Sequence, residues 1–70
     1  MENTMQSIKN MATATINALE GSISLAETQQ RLLQVSALGK ADKAEYIANY
    51  HKLEAAKNKL RKAIAELKAV

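Results

Sequence analysis

The chain has no cysteine, no proline, no phenylalanine and no tryptophan, and its 70 residues include only two glycines, two tyrosines and one histidine. Without cysteine there is no disulfide and no thiolate metal site, a usage that fits a reducing compartment. Without proline nothing forces a helix to stop. With only Tyr46 and Tyr50 as aromatics, any core must come from Leu, Ile, Met and Ala, of which alanine supplies little buried area. No apolar run approaches the ~20 residues of a membrane span, and MENTMQSIKNMA lacks the basic and apolar blocks of a signal peptide. The expected location is the cytoplasm, or a host cytoplasm for a viral gene.

Catalytic chemistry is equally scarce. There is one His, no carboxylate pair at a spacing for acid–base work or metal binding, and no glycine-rich phosphate loop, since Gly21 and Gly39 stand alone. The sequence therefore predicts no enzyme, no cofactor and no resident metal.

What is present is helical pattern. From Asp42 to Val70 the chain has neither Gly nor Pro, and Tyr46, Tyr50, Leu53, Lys57, Leu60, Ile64 and Leu67 alternate at four- and three-residue steps. That 3.5-residue period is a coiled-coil-like seam along one side of a helix over about 43–69. Lys57 is its one charged member, placed to snorkel or to pair with a carboxylate and fix register.

Ahead of this helix, Leu38-Gly39-Lys40-Ala41-Asp42 reads as a tight helix–helix turn, with Gly39 suited to the left-handed C′ position and Asp42 to a capping box with Glu45. A connection this short makes its two helices antiparallel neighbours.

The first half is more ambiguous. Met1, Met5, Ile8, Ala12, Ile16 and Leu19, with Ile23 as a candidate continuation, share one face of a helix over about 4–20, capped by Asn3 with Gln6, or by Thr4. Gly21 can end that helix, Ser24-Leu25-Ala26-Glu27 matches a second capping box, and Leu25, Leu32 and Val35 leave the earlier line. These signals favour a break and a separate helix over 25–38, while Gly within one continuous helix would cost only about 1 kcal/mol. The expected architecture is one all-α domain over residues 1–70, an antiparallel helical hairpin or three-helix arrangement. A chain this small needs a partner surface, so it is expected to form a homodimer or higher oligomer through the last-helix seam.

Charge is divided along the chain. Residues 1–39 carry a net −1 and residues 40–70 a net +4. Lys52, Lys59 and Lys62 lie away from the seam, with Arg61 at its flank, and Tyr46, Tyr50 and His51 cluster near the turn. Together these seven residues are the candidate contacts for a partner or ligand. The expected function is non-catalytic: a small regulator, inhibitor or accessory subunit, of the kind encoded by phages or mobile elements, docking a helix face with a basic rim on a larger protein. The same residues leave open a helical oligomer that captures an anionic ligand such as a nucleotide, or a nucleic-acid accessory role through the tail.

One local pattern extends this last possibility. Asn17-Ala18-Leu19-Glu20-Gly21-Ser22-Ile23-Ser24-Leu25-Ala26-Glu27 resembles the inter-helix turn of the exonuclease VII small subunit, a short helical chain with an L-E-x-G-x-L-S-L-E-E-A-like turn. The likeness covers about eleven residues, lacks one residue after Glu20 and lacks the second Glu. That family has no counterpart of the turn at Gly39–Asp42. The resemblance implies a nuclease accessory subunit with its helical turn at Gly21.

Overall fold

The computed structural model describes the backbone of residues 2–69 and the side chains of residues 4–69. Two helices, α1 (Glu2–Ala37) and α2 (Ala44–Lys68), pack side by side as an antiparallel hairpin. No strand occurs among the described residues. The molecule is a rod of 62 × 15 × 11 Å.

The expected break at Gly21 does not occur: α1 runs through it for 36 residues. The reason is a second seam. Ala12, Ile16, Leu19, Ile23, Ala26, Gln30, Leu33 and Ala37 alternate at four- and three-residue steps without interruption, and each is buried or half-buried. Burial against α2 along this unbroken line offsets the cost of about 1 kcal/mol for one internal glycine. The residues that suggested a change of phase are outside it: Leu25, Leu32 and Val35 are 60–65% exposed.

Hydroxyl side chains along α1 are also accommodated within the helix. Thr15 Oγ1 donates to the Met11 carbonyl at 2.9 Å, Ser22 Oγ to Ala18 at 3.2 Å and Thr28 Oγ1 to Ser24 at 3.2 Å. Ser24 thus offers its carbonyl to a helix interior instead of opening a new helix. At the start of α1, Met1 and the Asn3 cap lie outside the described side chains, and Gln6 Nε2 donates to Asn10 Oδ1 at 3.0 Å. The stretch from Asn17 to Glu27, expected to turn at Gly21, is likewise continuous helix.

The true turn is at Leu38–Lys43. Gly39 has φ 77°, the left-handed conformation that only glycine adopts without strain, and the Lys40 N–H donates to the Ala37 carbonyl at 3.1 Å. Asp42 caps from one residue further out than a standard N-cap. Lys43 occupies the N-cap position without a side-chain bond, while Asp42 Oδ1 accepts the Ala44 N–H at 3.0 Å. Gly39→Ala is expected to cost about 1–2 kcal/mol and to lower Tm by several degrees in a calorimetric melt.

Helix lengths decide what overhangs. At 1.5 Å per residue α1 spans about 54 Å and α2 about 38 Å. With a break at Gly21, α2 would have been the overhanging element. In the continuous hairpin the excess falls at the start of α1, where every described residue from Thr4 to Met11 is exposed.

Candidate docking face and polar lock

The α2 seam expected to join separate chains lies against α1 of the same chain. Lys57 and Ile64 are buried, and Tyr46, Tyr50, Leu53, Leu60 and Leu67 are half-buried. The interior is thin: the buried residues are Ala26, Ile64, Gln30 and Lys57, and no side chain is fully enclosed among the described residues.

Two of those four residues are polar, and they meet at mid-seam. Gln30 is 4% exposed, and its Nε2 donates to the Tyr50 carbonyl at 3.2 Å and to Glu54 Oε2 at 2.9 Å. The Lys57 ammonium lies 3.1 Å from Glu54 Oε2 and 3.6 Å from Glu27 Oε2. Arg61 approaches Glu54 Oε1 at 3.8 Å and donates to Asn58 Oδ1 at 3.0 Å. The Gln30 hydrogen bond and then the Lys57 contact hold the Glu54 carboxyl below its ordinary value. No buried side-chain polar atom among the described residues lacks a partner. Sliding α2 by one heptad would strip Lys57 and Gln30 of these partners, so the network locks register. Lys57 was legible as the charged seam residue. Gln30 was not, because its signal is positional: it stands seven residues after Ile23 and seven before Ala37.

The candidate contacts do not form one site. Near the turn, Tyr46, Ile47, Tyr50 and His51 line an open groove of about 350 Å³ with Leu33 and Gln34. The Tyr50 and His51 rings meet edge-to-face, with centroids 6.0 Å apart. No lysine or arginine lines this groove. Lys52, Lys59 and Lys62 stand exposed elsewhere on α2, and Arg61 is engaged at the polar lock. No group of three or more potential metal-binding side chains occurs among the described residues, and no described helix is long and apolar enough to cross a membrane.

Sequence reasoning missed a different surface. On the side of α1 turned away from the polar lock, Met11, Ala18, Leu25 and Leu32 repeat at seven-residue steps. Beside them run Ser7, Ala14, Gly21, Thr28 and Val35 in one line, and Ile8, Thr15, Ser22, Gln29 and Ser36 in another. These three lines form a continuous outer face from Ser7 to Ser36 without one charged residue. The α1 charges after Glu2 (Lys9, Glu20, Glu27 and Arg31) all fall on other lines. Met5, Ile8, Met11, Leu25, Leu32 and Val35 are 47–69% exposed. The signal was available in the sequence as the seven-residue spacing of the α1 hydrophobes that do not belong to the seam.

Comparison with protein-family models, curated proteins and solved structures found no match. The geometry of the hairpin is therefore the basis for a functional reading.

Proposed function

We propose that this chain is a non-catalytic interaction protein that works by laying the charge-free outer face of α1 on a complementary helical surface, as an accessory subunit or inhibitor does. The observation that carries this reading is the face itself. It bears five large exposed apolar side chains, Ile8, Met11, Leu25, Leu32 and Val35, and no charge, whereas monomeric proteins rarely expose large apolar patches. Helix-in-groove recognition uses such anchors at one- and two-turn spacing.

The test compares charge insertions on two faces. Leu25→Glu with Leu32→Glu is expected to leave the far-ultraviolet helical signal unchanged, since both positions are exposed, and to abolish association in quantitative affinity purification from the producing cell. Lys59→Glu with Lys62→Glu is expected to spare association. The opposite pattern, with the apolar face dispensable and the basic one essential, would overturn the reading.

A further inference from the structure

The occupant of this face can be argued from its own pattern. We infer that it is a second copy of the chain, with α1 packed antiparallel to α1 about a two-fold axis between Gly21 and Ser22. This inference rests on the docking reading and names the partner.

Self-complementarity is the first argument. A two-fold axis at that point brings Ile8 level with Val35, Met11 with Leu32, and Leu25 with Ala18. Large exposed side chains at each end of one face thus meet large ones at the opposite end of the other. The middle meets over Gly21 and Ser22, where small residues permit close helix approach. A Cβ added at Gly21 would find nothing within 4 Å inside its own hairpin, so nothing in this chain requires glycine there. Because neither face carries charge, antiparallel contact brings no like charges together.

Shape supplies the second argument. The first three turns of α1 project past the end of α2 and carry Met5, Ile8 and Met11. At the level where a second copy would receive them lies a shallow groove of about 340 Å³, lined by Gln29, Leu32, Leu33, Ser36 and Leu53, again without charge. The overhang on one copy and the groove on the other are at matching distances from the axis.

Area supplies the third. The chain exposes 5484 Å². A compact monomer of this mass exposes about 4,300 Å². The excess, about 1,200 Å² per chain, exceeds the ~800 Å² that each partner gives to a standard interface. The product is a four-helix bundle, which leaves the polar lock and its charged edge to solvent.

The absence of native cysteine makes the test direct. Single-cysteine variants Ser22→Cys, Met11→Cys and Leu32→Cys are treated with a short thiol–thiol cross-linker, and the parent chain is sedimented over a range of concentrations. The parent is expected to sediment as a dimer. Ser22→Cys is expected to cross-link to itself. Met11→Cys alone is not, because its two copies lie about 32 Å apart along the axis. Mixing Met11→Cys with Leu32→Cys is expected to restore cross-linking. A parent that sediments as a single chain at every concentration would overturn the inference and leave the docking reading to the glutamate variants. Self-cross-linking of Met11→Cys at the level of Ser22→Cys would also overturn it, in favour of parallel packing.

Discussion

The Ile64→Asp variant is expected to lose most of its helical signal at room temperature. Ile64 is one of two buried apolar residues, and the register set by Glu27–Lys57 and Gln30–Glu54 places it near the level of Leu19. The substitution forfeits about 1.5–3 kcal/mol of apolar burial. It also asks a carboxylate to leave water at a position that is 8% exposed, at a cost of several kcal/mol. A domain of 70 residues has a total stability of roughly 4–10 kcal/mol. The two costs together consume most or all of it. Circular dichroism and a thermal melt read the result. Leu25→Asp serves as the contrast: the same charge at a 62% exposed position of the outer face is expected to leave the hairpin folded. A folded Ile64→Asp with an unchanged melt would mean that the seam is wrongly placed.

At the polar lock, Glu54→Ala is expected to destabilise the hairpin more than Lys57→Leu, which changes its stability by less than about 1 kcal/mol. The asymmetry follows from burial. Removing Glu54 leaves the Lys57 ammonium, whose side chain is 7% exposed, with only Glu27 at 3.6 Å. Removing the Lys57 charge instead leaves two carboxylates that are 39% and 45% exposed and remain hydrated, with Gln30 and Arg61 still on Glu54. An apolar side chain then fills the buried position. Denaturant unfolding of the two variants gives the order, and a larger loss for Lys57→Leu would contradict the account.

Acidification tests the same group. The folded Glu54 carboxyl titrates below its ordinary value of 4.5. Its contribution is therefore fully present above that value and is lost as pH falls through the lower folded value. Glu54→Gln is expected to flatten this acid limb of the stability profile.

The sequence and the structure differ where side-chain size misleads. The α2 seam was legible because six of its seven positions carry Leu, Ile or Tyr. The turn was legible because a glycine suited to a helix C′ position stands three residues before a capping aspartate, and Gly39 does take φ 77°. In α1 the signal was inverted. Beyond Ala12, Ile16 and Leu19, which the sequence placed on one face, its seam holds Ala26, Gln30 and Ala37, which resemble surface residues, while Leu25, Leu32 and Val35, which resemble core, stand outside it. Gly21, Ser22 and Ser24 suit a helix end and a helix interior alike, because serine hydroxyls can bond back to carbonyls one turn earlier. The choice was made by α2, whose unbroken seam requires an unbroken partner. Of the candidate contacts, Tyr46, Tyr50 and His51 share a groove because they are near neighbours on one helix, whereas Lys52 is not among its lining residues and Lys59 and Lys62 lie about two to three turns further along α2.

The measurement that most directly tests the central claim, that α2 spends its seam within its own chain and so leaves the outer face of α1 free, is an intrachain distance. Spin labels on Ala14→Cys and Lys68→Cys, diluted with unlabelled chains, report whether these exposed positions lie side by side. The hairpin predicts a single population near about 20 Å, from helix axes about 8–10 Å apart plus the label arms. A dominant distance near about 70 Å would mean that the helices are laid end to end and that α2 finds its partner in another chain, contradicting the account.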